Sequence, residues 1–102
     1  MNTDSVDCRR FLGETFPEGL RQPGDFMWDE PRVGDVRRCI YIVLPGDKNP
    51  SAIECIHGPA GPLPRDRIWG WDGNEDKPTL TPSIHEPECW HGHLIAGRLV
   101  SC

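Results

Sequence analysis

The sequence predicts an all-β or β-rich domain, a small twisted antiparallel sheet or partly open barrel with long Pro/Gly loops and an N-terminal arm. Three observations carry this. Eleven Pro and eleven Gly make up about a fifth of the 102 residues, and both are expelled from helix interiors. The apolar runs that remain, CIYIVL and SAIECIH above all, are short and rich in β-branched and aromatic side chains. The chain also closes on two extended segments, WHGHLI and RLVSC, that flank Ala96-Gly97, the signature of a two-residue hairpin.

Taken in order, residues 1–25 read as the arm, with at most one short helix beginning at Ser5, because Pro17, Gly19, Pro23 and Gly24 stop anything longer. The arm is either a loosely attached tail or a segment that orders against a partner through Phe11, Leu12 and Phe16. Residues 26–102 form a single β-rich domain. A short extended piece around Phe26 leads to a turn at Val33-Gly34-Asp35, and Val36 to Leu44, apolar on both faces, is expected as a central strand. PGDKNPS is turn chemistry, after which Ser51 to His57 pairs back, with Ile53, Cys55 and His57 on one face. Trp69 and Trp71 alternate as on a strand. Pro78 and Pro82 bracket an extended piece that belongs at an edge or a bulge, since Pro cannot donate to a sheet ladder. In the closing hairpin Ile95 is expected opposite Arg98, Leu94 opposite Leu99, His93 opposite Val100 and His91 opposite Cys102.

Composition excludes several classes of function. The formal charge is −5 and the basic residues are scattered, so phosphate-dominated binding to nucleic acid is not expected; an acidic face suits a basic protein partner instead. No apolar run approaches the ~20 residues that span a bilayer, which argues against membrane insertion. MNTDSVDCRRFLGETF lacks the basic-then-apolar order of a secretory signal. The expected compartment is therefore the cytoplasm, where thiols stay reduced. Five Cys is an odd number and does not suit a closed disulfide framework.

The last fourteen residues hold two of the five Cys and two of the four His. The expected hairpin puts Cys89, His91, His93 and Cys102 on one face and Trp90, Leu94 and Leu99 on the other. Thiolate and imidazole at that density suit tetrahedral zinc at about 2.0–2.3 Å. One flat hairpin cannot enclose a metal, so further donors are sought in Cys55 and His57, and then His85. The favoured set is Cys55, His57, Cys89 and His91, with His93 and Cys102 as rivals, closing a core too small to stand alone. The alternative is inert buried thiols and hydrogen-bonded imidazoles. A catalytic zinc with Glu86 or Glu88 as base, or a Cys89–His91 nucleophile pair, would make an enzyme. The H-E-x-x-H and zinc-deaminase signatures are missing, however. Trp28, Trp69, Trp71 and Trp90 are either an aromatic core or partner-binding anchors.

Trp69-Gly-Trp71-Asp-Gly73, Pro78-Thr-Leu-Thr-Pro82-Ser-Ile84 and His91 six residues before Gly97 resemble a family of small phage and bacterial domains of unknown function, some of them mislabelled as ammonia monooxygenase. The resemblance covers roughly residues 26–102. It implies a compact β-rich domain with a zinc site, in which Cys55 matches the first position of a Cys-rich segment and His91 the family histidine. Where relatives carry several Cys this chain has CIHGPAGP, so that His57 stands in for one and another is missing; Cys89 lies one residue off. Relatives occur in phage genomes and near bacterial ubiquitin-like conjugation genes.

The functional expectation is a non-enzymatic, small phage-type protein-interaction module with zinc as its candidate structural cofactor and a host or phage protein as partner. The alternatives are a virion-associated protein cementing capsid or tail, an inhibitor of a host protein, and a small zinc-dependent hydrolase. Location follows as host cytoplasm, or the virion for a structural component. Assembly into a homo-oligomer is left open.

Overall fold

The computed structural model describes residues 5–12, 19–30, 33–34, 36–58, 68–86 and 90–101. Among them the regular elements are nine strands: β1 (Ser5–Asp7), β2 (Arg9–Arg10), β3 (Asp25–Trp28), β4 (Arg37–Ile42), β5 (Ser51–His57), β6 (Trp69–Trp71), β7 (Leu80–Glu86), β8 (Trp90–Ile95) and β9 (Arg98–Ser101). They form a single sheet in the order β1-β9-β8-β7-β6-β5-β4-β3-β2. Pairing is antiparallel except at β2–β3 and β5–β6.

The sheet curls into a nearly closed barrel because its two outer strands are consecutive pieces of one segment. Val6 pairs with Leu99 of β9, and only three residues later Arg9 pairs with Asp25 of β3. Between them the Cys8 N–H donates to the Gly97 carbonyl and the Arg9 N–H to the Gly24 carbonyl, both at 2.9 Å. The segment expected to hold a short helix from Ser5 is thus strand, since two open sheet edges offer its backbone a full set of partners. Gly24 makes room for the crossing. It sits at φ +93°, and a Cβ there would lie 2.8 Å from the Asp7 carbonyl oxygen. The buried Asp25 carboxylate accepts from the Arg21 and Gln22 N–H groups at 3.1 and 3.0 Å and faces Arg9 at 3.4 Å, so its charge is compensated.

The closing hairpin has the register expected from its turn: Ile95 faces Arg98, Leu94 faces Leu99 and His93 faces Val100. Ala96 and Gly97 both take positive φ, 47° and 75°, as a type I′ turn requires. Trp90 and Leu94 point inward while His91 and Ile95 point out. Gly92, between the two inward residues, leaves space for the Trp90 ring: a Cβ there would lie 2.3 Å from that ring and from the Val100 carbonyl oxygen.

One end of the barrel is plugged by residues 72–79. The Asp72 side chain accepts the N–H groups of Asn74 and Thr79, and the Asn74 amide accepts those of Asp76 and Lys77. The plug lies over Trp28 and Trp71, whose ring centroids are 4.7 Å apart, with the Arg38 guanidinium 5.2 and 5.5 Å from them. Glu75 accepts from Arg38 at 2.8 Å and from Arg10 at 3.3 Å.

Gly92→Ala is expected to cost about 1–3 kcal/mol, the usual range for overpacking, and to expose Trp90; denaturant unfolding followed by Trp fluorescence reads both. The Arg38 hydrogen bond above all, together with the charges of Arg38 and Arg10, lowers the Glu75 pKa below its ordinary 4.5. Its stabilising contribution is therefore complete above that value and is lost as pH falls through the depressed folded value. Melting temperature should accordingly fall on acidification below pH 4.5 more steeply in the native chain than in Glu75→Gln.

Candidate active site

Along the outer wall the strands β7 and β8 carry a cluster that depends on one irregularity. Leu80 pairs with Leu94 and Ile84 with Gly92, so four steps along β7 meet two along β8, and Thr81, Pro82 and Ser83 together oppose His93. This bulge contains the cis Thr81–Pro82 peptide and accommodates the proline anticipated at a bulge. Bulges re-aim side chains. Here Ile84 turns into the core, and its neighbours Ser83 and His85 point to the outside.

On that outer face His91 lies opposite His85, and its imidazole reaches diagonally to Ser83: Nε2 and the Ser83 Oγ are 3.2 Å apart. With the ring proton on Nδ1, the hydroxyl donates to Nε2. The His85 ring packs against His91 with centroids 4.9 Å apart at 41°. Ser83 is half-buried and held from behind, since the Trp69 indole N–H donates to its carbonyl at 3.3 Å and Ile84 is 3% exposed. A hydroxyl bonded to an accessible imidazole is an arrangement that can serve as a nucleophile with its base.

The described residues proposed as zinc ligands, Cys55, His57, His91 and His93, do not converge. Cys55 lies fully buried on the inner side of β5, where burial foremost pushes its thiol up to about 12 against the opposing pull of Arg38. His57, at the exposed end of β5, meets Trp71 edge-on at 6.0 Å. His91 and His93 face outward on β8, three strands away in the sheet. At ~4.8 Å per strand that is roughly 14 Å, against a ligand bond near 2 Å. Cys89, Cys102 and Glu88 lie outside the described residues, and so does Phe16. Among the described residues no group of three or more His, Cys, Asp or Glu is placed to hold a metal ion, so the zinc-binding assignment is corrected. The Trp residues are core and not outward anchors. Trp28, Trp71 and Trp90 are 8%, 7% and 9% exposed and Trp69 packs against the same cluster, while their indole N–H groups bond to Glu75, Asn74, Ser101 and Ser83. Ser83 is not among the site residues the sequence points to, although the Pro82 that signals the bulge stands beside it.

Residues 27–102 match the family model described as bacterial ubiquitination-like system serine protease (BubE). The chain belongs to the BubE family. No curated protein and no solved structure matches it. Membership overturns the expectation of a non-enzymatic phage-type module, and with it the virion-cementing, host-inhibitor and zinc-hydrolase alternatives, because the family is one of serine proteases in a bacterial system. A BubE-family chain acts with protein partners, which agrees with the protein partner expected from the sequence.

A thiol pushed up to about 12 is almost entirely protonated at pH 8, and the thiolate is the nucleophile. Cys55 should therefore resist iodoacetamide at pH 8 in the native fold and react once unfolded, as peptide mass mapping will show; rapid native alkylation would contradict its inward placement.

Proposed function

We propose that this chain is a serine protease in which Ser83 is the nucleophile and His91 the general base, acting on the protein modifier of a bacterial ubiquitination-like system or on its conjugates. The single observation that carries the proposal is the 3.2 Å contact between Ser83 Oγ and His91 Nε2, in a chain whose family is described as serine proteases.

The chemistry follows from those two groups. Ser83 Oγ attacks the scissile carbonyl carbon as His91 Nε2 takes its proton. The tetrahedral intermediate collapses when His91 returns that proton to the leaving amine, and an ester joins the substrate acyl group to Ser83. Water, deprotonated by the same imidazole, then attacks the ester carbonyl, and His91 returns the proton to Ser83 Oγ as the C–O bond breaks and the acid leaves. His85, its ring tilted against that of His91 at 4.9 Å, limits the imidazole's motion. It is a positioning residue, since no contact with the hydroxyl is made through it.

A serine-directed fluorophosphonate probe tests the assignment. It should add one label per chain, mapped by mass spectrometry to Ser83, and Ser83→Ala should abolish the labelling. His91→Gln should slow it by about 10²–10⁴, the usual contribution of a positioned general base. Labelling at another serine, or an undiminished rate in His91→Gln, would sink the assignment.

A further inference from the structure

A nucleophile and its base leave one need of acyl transfer unmet, a hydrogen-bond donor aimed at the oxygen on which charge develops during the attack. Backbone N–H groups beside a nucleophile often serve, but the residue before Ser83 is Pro82, which has none. A side chain stands near the hydroxyl instead.

That side chain is His93. Ile84 pairs with Gly92, so one step back along β7 and one step on along β8 bring Ser83 opposite His93. Residues directly opposite on antiparallel strands have Cβ atoms about 4.5–5.5 Å apart. Both side chains lie on the outer face, because Gly92 and Leu94 on either side of His93 are buried, as is Ile84 beside Ser83, and successive residues alternate. Of the three bulge residues that oppose His93, Thr81 and Pro82 are exposed and Ser83 is half-buried, the same depth as His93 itself. On its other side His93 faces Val100 of β9, which has no polar side-chain atom. Among the described residues none hydrogen-bonds to the His93 imidazole or pairs with it as an ion, so its ring N–H is free to meet a substrate. His91 reaches the hydroxyl from two residues back along the same strand. The two imidazoles thus flank Ser83 Oγ from neighbouring outward positions of β8.

We infer that His93 is the oxyanion donor of the reaction, its imidazole N–H donating to the carbonyl oxygen of the bound substrate. The inference rests on the protease reading above. As Ser83 Oγ bonds to the carbonyl carbon and its proton passes to His91 Nε2, the electron pair of the carbonyl π bond moves onto oxygen, where the His93 N–H meets it. Collapse of the intermediate returns that pair to the C–O bond as the bond to the leaving amine breaks. His93 keeps its proton throughout, which separates its role from that of His91.

The test is the rate at which the fluorophosphonate probe labels Ser83 in full-length variants, each checked for an unchanged fold by its denaturant midpoint. His93→Ala should slow labelling by about 10²–10³, the usual loss when one oxyanion donor is removed. His93→Gln should stay within about tenfold of the native rate, since its amide donates a hydrogen bond but takes up no proton. His93→Phe keeps a flat ring without a donor and should be as slow as His93→Ala; the contrast of Gln with Phe decides by itself where the Ala variant does not fold. A native rate in His93→Ala or His93→Phe, or a His93→Gln variant as slow as either, would overturn the inference. A chain labelled at Ser83 at a rate that depends on His91 but not on His93 keeps the protease reading and loses the oxyanion donor, whereas a native chain that is not labelled at Ser83 loses both.

Discussion

Closure of the sheet on itself is the constraint from which the rest of the molecule follows. The chain is only 36% hydrophobic, so an open sheet of short strands would leave one apolar face wet and two edges unpaired. Residues 5–10 remove both problems by pairing with β9 on one side and β3 on the other. Inward side chains from strands far apart in the chain, among them Phe26, Ile40, Leu80 and Leu99, then share a single core. The plug over Trp28 and Trp71 closes one end, where polar loop atoms accept the indole N–H groups that burial would otherwise strand.

A closed wall also suits chemistry. Side chains that face outward from packed strands are fixed by what lies behind them, and Ser83 is fixed by Ile84 in the core and by the Trp69 indole on its carbonyl. The bulge supplies the needed departure from regularity. A plain ladder continued from Leu80 and Leu94 would bring Pro82 opposite Gly92, where the bulge brings Ile84. The extra residues set Ser83 within diagonal reach of His91 while the core register resumes beyond it.

Much of the fold is legible in local chemistry. Ala96-Gly97 demands positive φ at two successive positions, which selects one hairpin register; Pro82 cannot donate to a ladder, which requires a bulge. The density of Cys and His near the C-terminus carried a different lesson. Soft ligands in alternation on a strand look alike whether they meet a metal, a hydroxyl or solvent, because alternation reports the face and not what stands opposite it. His91 was expected on that outer face as a metal ligand, and there its imidazole meets a serine on the neighbouring strand, displaced by a bulge whose size local sequence does not state.

By itself the sequence determined the all-β class, the strand of residues 51–57, the closing hairpin and the inward stripe of Trp90, Leu94 and Leu99, since each depends on backbone rules acting within a few residues. Tertiary structure alone decided three things. Residues 5–10 became the strand that closes the barrel, Cys55 was turned into the core while His91 faced out, and Ser83 came within 3.2 Å of the imidazole. Each of these depends on contacts between segments distant in the chain, whose geometry is set by the curvature and order of the whole sheet, and no local pattern encodes that.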